Sequence, residues 1–196
     1  MPLMVPTTKK RFESNFYVEG AATTFNDPYI LFSSDGIDYK EMIDRHALDG
    51  ADLSDVIFQY DHDGRVFART KMGAGKPASL LVEPQENILF VAADLGRTEA
   101  AKSIYRDISE GLIYQMSWCF VVDEDSYDRN THTRTILKIR KVYDVSAVSI
   151  PANPSTDISA RSAQSFFDGV IEKERWESLE RKREILKIKL KMEGII

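Results

Sequence analysis

Through residues 1–160 the chain keeps returning to one unit, a short run of apolar, aromatic or β-branched residues closed by a turn signal. Each run is too short for a stable helix and ends on residues that break one, so the chain must fold as strands that reverse repeatedly. Residues 16–25 form the first run, stopped by Asn26-Asp27-Pro28, and residues 29–32 a second, stopped by Ser33-Ser34-Asp35-Gly36. Residues 56–60 lead straight into Asp61-His62-Asp63-Gly64. Further strands are expected at 66–69, 79–82, 88–93 and 113–122. After a polar turn at 123–131 come two more, at 134–140 and 142–150, and Pro151-Ala152-Asn153-Pro154 ends the body. Two stretches have helical spacing instead. Residues 38–48 set Met42, Ile43 and Ala47 to one side, and 98–110 place Ala101, Ile104, Tyr105 and Ile108 three or four apart between a Thr98 cap and a Gly111 stop. The expected body is mainly β with flanking helices (α+β), a small closed or strongly curved β-barrel.

The remainder reads differently. Residues 155–163 have a linker composition, and from Gln164 to Met192 there is no proline and a single glycine, Gly169. One long amphipathic helix is predicted, with Ile185, Ile188, Met192 and Ile195 forming an apolar seam at three- and four-residue spacing. The expected organisation is an N-terminal arm at 1–15, a main domain at 16–160 and a linker with helical tail at 161–196.

Charge and composition exclude several classes of function. The net charge is −5, and the tail segment 172–193 is locally +2, which leaves −7 on residues 1–171. An acidic body lacks the concentrated basic face that phosphate-backbone binding needs, so nucleic acid is not expected as a partner. The chain has no apolar run of membrane-span length and no secretory leader at its start, so a soluble intracellular protein without a membrane partner is expected. The lone Cys119 supports neither a disulfide nor a cysteine-based zinc site, and no metal or cofactor is expected.

Of the three histidines, His46, His62 and His132, His62 is the most suggestive, because it stands where a hydrophobic strand meets a polar turn. The strand fixes the backbone and the turn exposes the ring, as a general base requires. The plainer alternative is a surface histidine in a turn. Asp61 and Asp63 flank it and either raise its basicity or solvate the turn. A metal site built from Asp61, His62 and Asp63 needs a sharp turn, since neighbouring side chains in a strand diverge. Ser117 is a small hydroxyl in a bulky strand, with Gln115, Ser117 and Cys119 on one face and Met116, Trp118 and Phe120 on the other. It is a candidate nucleophile or a serine bonded to a neighbouring strand; no G-x-S-x-G elbow is present. Cys119 is a second candidate or a buried small hydrophobe. Asp144 is an acid inside an apolar β run: if buried it needs a partner, a histidine ring as in hydrolytic groups, or Arg140 or Lys141, and otherwise it faces solvent at an edge. Ser146 and Ser149, in the same run, are further nucleophile candidates ranked below Ser117.

Five segments taken together resemble the prohead (capsid maturation) protease family of tailed phages, whose fold is similar to the herpesvirus assembly protease. They are residues 18–22 (VEGAA), Glu41 through Ala47-Leu48, residues 60–63 (YDHD), residues 111–120 (GLIYQMSWCF) and residues 144–154 (DVSAVSIPANP). The likeness covers about residues 16–160. It implies a serine endopeptidase with His62 as general base, Ser117 as nucleophile and Asp144 as the orienting acid. The chain departs from the family pattern twice: Asp144 stands where Glu is usual, and Cys119 where Gly is usual two residues after the serine. The resemblance also implies action inside the immature prohead in the host cytoplasm. Its substrates would be the scaffold and the N-terminal scaffolding region of the major capsid protein, with self-cleavage and a homodimeric state. The alternative is a non-catalytic β-barrel that binds capsid protein through its C-terminal helix.

Overall fold

The computed structural model describes residues 3–4, 11–149 and 158–192, and of 3–4, 158–168, 187, 188 and 190–192 the backbone only. In chain order the elements are β1 (Leu3–Met4), β2 (Tyr17–Thr24), β3 (Tyr29–Ser34), β4 (Ile37–Ile43), β5 (Ile57–Tyr60) and β6 (Asp63–Arg69). There follow β7 (Leu80–Pro84), β8 (Ile88–Asp94), α1 (Glu99–Ser109), β9 (Gln115–Asp128), β10 (Thr133–Val148) and α2 (Ile158–Met192). The chain divides into two compact units, Met1–Ala160 and Arg161–Ile196.

β10 organises the first unit. β9 runs antiparallel along one edge of it from Thr133↔Asp128 to Val148↔Gln115, with register shifts that bend the ladder. The other edge is shared by two parallel partners, β4 beside Thr133–Ile136 and β5 beside Asp144–Ala147. Between them the connecting loop keeps the edge satisfied, with Ile139 N–H on the Ala47 carbonyl and Val142 N–H on that of Asp52. β3 and β6 extend this sheet as antiparallel hairpin partners of β4 and β5. The second sheet has the order β1-β2-β8-β7. One core joins the two sheets and α1: Phe58, Trp118, Phe120, Ile136 and Val145 from the first sheet, Val18, Leu80, Leu89 and Val91 from the second, and Ile104 and Ile108 from the helix. Thr98 caps α1 by accepting from Ala101 N–H, and Gly111 at φ +75° follows its end.

The mainly β, α+β expectation holds, but among the described residues the strands form two open sheets rather than a closed barrel. The outer strand β6 shows why an edge stays unpaired: its first half, Asp63-Gly64-Arg65-Val66, is exposed and charged, which discourages further strand pairing. Residues 38–48 are not a helix. Tyr39, Glu41 and Ile43 alternate inward with period two, and parallel pairing to β10 supplies backbone partners that outweigh the local helical spacing. The polar turn predicted at 123–131 is shorter, because β9 continues to Asp128, and the two strands expected at 134–140 and 142–150 are the single β10. Part of the predicted linker, from Ile158, is already helical in α2. No amphipathic face is shown along the described part of that helix: consecutive charged residues at 172–175 and 180–184 are spread around it, and Trp176, Leu179, Ile185 and Leu186 are exposed. Residues 150–157, including the Pro151–Pro154 stop, and Ile195 of the expected seam lie outside the described residues. No helix among the described residues is long and apolar enough to cross a membrane.

Candidate active site

His62 is presented by a two-residue hairpin. Tyr60 pairs with Asp63, so Asp61 and His62 alone make the turn between β5 and β6, at φ +47° and +59°. Both angles lie in the left-handed region, as a hairpin turn matching strand twist demands, and a side chain there is strained. The turn is tied down on both of its residues. Asp61 accepts hydrogen bonds from Ser149 N–H at 2.9 Å and Ser149 Oγ at 3.2 Å, while its own N–H donates to the Ala147 carbonyl. The Tyr60 hydroxyl also bonds Ser149 Oγ. His62 Nδ1 lies 2.7 Å from Asp144 Oδ1, with the two side chains 9% and 8% exposed. The ring is therefore a buried partner of a buried carboxylate and not a surface histidine in a turn.

The parallel register explains how residues 82 positions apart meet. β10 puts Asp144 beside Ile57 and Ser146 beside Gln59, so the hairpin tip of β5–β6 curls back over the face that carries Asp144. The basic neighbours that Asp144 might have used are engaged elsewhere: Arg140 Nε donates to Asp123 at 2.8 Å and Lys141 Nζ to Asp52 at 2.9 Å. A second hydroxyl does reach the acid. Ser146 Oγ, fully buried, donates to the same Asp144 Oδ1 at 2.7 Å.

Ser117 sits on the other side of β10, directly across from Ser146, and Cys119 directly across from Asp144. Cross-strand partners point to the same face, with Cβ atoms about 5 Å apart. Ser117, Cys119, Asp144 and Ser146 thus share one face, and the His62 ring reaches that same face to meet Asp144. Ser117 is half-buried, whereas Cys119 is buried, so the serine is the more reachable of the two nucleophile candidates. Met116, Trp118 and Phe120 face the core, as the alternation predicts.

The remaining candidates separate. Asp63 turns its carboxylate to Gly64 N–H at 2.7 Å, Asp61 turns to Ser149 and His62 to Asp144, so the three side chains diverge rather than converge on a metal. His46 is exposed and bonds Asp49; His132 lies beside Tyr127 and Tyr39, away from this face. A cavity of about 580 Å³ between the β5–β6 hairpin and α1 is lined by Tyr60, Phe67, Ile104 and Ile113. Tyr60 pairs with Ala147, one residue out of phase with Ser146, so this cavity opens on the opposite face from Asp144.

With Asp144 ionised, Nδ1 carries the ring proton and Nε2 becomes the basic nitrogen, the tautomer that general-base catalysis requires. A histidine fixed by a buried acid and a serine on the same face are the kinds of group from which hydrolytic serine sites are built. Residues 5–169 match the model of the caudovirus prohead serine proteases. The chain belongs to that family. No curated protein and no solved structure matches it. Membership in the prohead serine proteases gives the chain a phage capsid-maturation protease role and places it in the procapsid assembled within the host cell. Two residues of this site take roles that the sequence pattern does not assign to them. The sequence offers Ser146 as a lower-ranked nucleophile, while its period-two spacing from Asp144 already puts both on one face. For Asp61 the sequence suggests a charge beside His62, a solvated turn or a metal ligand, and nothing local points to Ser149.

Proposed function

We propose that this prohead protease is a serine endopeptidase in which Ser117 is the nucleophile, His62 the general base and Asp144 the acid that orients it. The observation that carries the assignment is the 2.7 Å bond between His62 Nδ1 and Asp144 Oδ1, buried on the face that Ser117 shares. Ser117 Oγ attacks the scissile carbonyl carbon as His62 Nε2 takes its proton, and Asp144 stabilises the imidazolium that forms. The tetrahedral intermediate collapses when the imidazolium gives its proton to the departing amine. Water, deprotonated by the same ring, then releases the acyl group from Ser117. Backbone N–H groups next to the serine would hold the oxyanion, each worth on the order of 10²–10³ in rate. Amides serve whatever their side chain, so Cys119 in place of glycine is compatible with this role.

The substrates on this reading are the scaffold and the N-terminal scaffolding region of the major capsid protein, together with the protease itself. The exposed Trp176, Leu179 and Leu186 of α2 support a part in co-assembly with coat or scaffold. Co-expression with the cognate capsid protein, read by mass spectrometry, tests the whole assignment. Wild type should shorten the capsid protein and itself, and Ser117→Ala, equally folded, should lower the rate on the order of 10⁶-fold. Processing by Ser117→Ala at a rate near wild type would overturn the nucleophile.

A further inference from the structure

Ser146 has no exposed surface, and its strand is paired on both sides, to Ser117 on β9 and to Gln59 on β5. A buried hydroxyl needs an acceptor, and this one uses Asp144 Oδ1 at 2.7 Å, the oxygen that also receives His62 Nδ1 at 2.7 Å. We propose that Ser146 is a positioning residue, holding the Asp144 carboxylate toward His62 and drawing off part of its charge, so that the ring is kept from becoming too strong a base.

The chemistry of the donor matters. A lysine or arginine on Asp144 would cancel the negative charge that stabilises the imidazolium, and the two that are closest in sequence are instead held by Asp52 and Asp123. A neutral hydroxyl orients the carboxylate without neutralising it. Because both donors meet at one oxygen, they compete for its electron density. Removing the hydroxyl leaves the carboxylate's charge to the ring alone, and an opposite charge nearby favours protonated histidine. The role in catalysis rests on His62 acting as base, but the coupling between Ser146 and the ring does not.

Among the described residues, the titratable groups placed near the ring by register and chain position include Cys119, opposite Asp144 on β9, and Asp61 and Asp63, which flank His62 in the chain. Asp61 and Asp63 are engaged with Ser149 and Gly64 and stay constant in the comparison.

The experiment is an NMR titration of the three histidines in the full chain, wild type against Ser146→Ala, accompanied by pH–rate profiles. Replacing serine by alanine leaves a void of one oxygen, which the strand tolerates. His62 should bind its proton about three-fold more tightly in the variant, a rise of about half a pH unit. His46 and His132 should not move. The acid limb of kcat/KM should shift upward by the same amount. A folded variant whose His62 titration is unchanged, or shifted downward, overturns the proposal. If His62 shifts as expected but wild type cleaves nothing and Ser117 takes no phosphonate label, the protease assignment fails while the Ser146–His62 coupling stands.

Discussion

Two hairpins in the same sheet use the same two-residue turn and fill it differently. Between β3 and β4, Ser34 pairs with Ile37 and the turn is Asp35-Gly36, at φ +53° and +79°. Between β5 and β6, Tyr60 pairs with Asp63 and the turn is Asp61-His62, at φ +47° and +59°. The first follows local turn chemistry, with glycine at a second central position where a side chain is strained. The second puts histidine in that position. Asp35 and Gly36 are exposed, whereas Asp61 and His62 are fastened to Ser149 and Asp144 at the end of β10. A turn that breaks the local rule and is held by long-range bonds is one kept for the side chain it presents.

If that contrast is functional, breaking the long-range bond should remove activity and leave the fold. Asp144→Asn keeps the shape of the side chain, and Ser146 can still donate to its oxygen. The amide no longer favours the Nδ1–H tautomer or supports an imidazolium, so cleavage should fall about 10⁴-fold. Thermal unfolding should change little. A variant that cleaves within ten-fold of wild type would mean the second hairpin is only another structural turn. The reciprocal change acts on the first hairpin. Gly36→His forces a β-carbon into a left-handed position where no atom lies within 4 Å, so strain is the only penalty. Stability should drop by about 1–2 kcal/mol with cleavage unchanged once the protein is folded. A loss of cleavage there would show that the two turns are not separable in the way their contacts suggest.

How far the sequence revealed these features depended on the range of the interaction. Local signals were enough for β2, for the Thr98 cap and Gly111 stop of α1, and for the inward face of Met116, Trp118 and Phe120. The isolated position of Asp144 in an apolar run was also legible, since a buried carboxylate demands a partner. Which partner was not. It depends on the parallel register that sets Ile57 beside Asp144, and no pattern within either strand encodes that pairing. The same long-range pairing converted residues 37–43, where Met42 and Ile43 suggest a helix face, into a strand alongside Thr133–Ile136. In α2 the described side chains of the expected apolar side, Ile185 among them, are exposed, and charged runs at 172–175 and 180–184 spread around the helix.

The smallest effect isolates the turn itself. His62→Gly and His62→Ala remove the ring equally, lose the same bond to Asp144 and should both abolish cleavage. They differ in one respect, the β-carbon at φ +59°. Glycine adopts that backbone without strain, but its unfolded chain has more freedom to lose, and the two terms oppose each other. Where the native angle is left-handed the strain is the larger, so the glycine variant should be the more stable by about 1 kcal/mol in denaturant unfolding. Equal stabilities would mean that the hairpin relaxes once the histidine is gone. In that case the left-handed geometry of residues 61 and 62 is imposed by the His62–Asp144 bond, and the turn does not hold it independently.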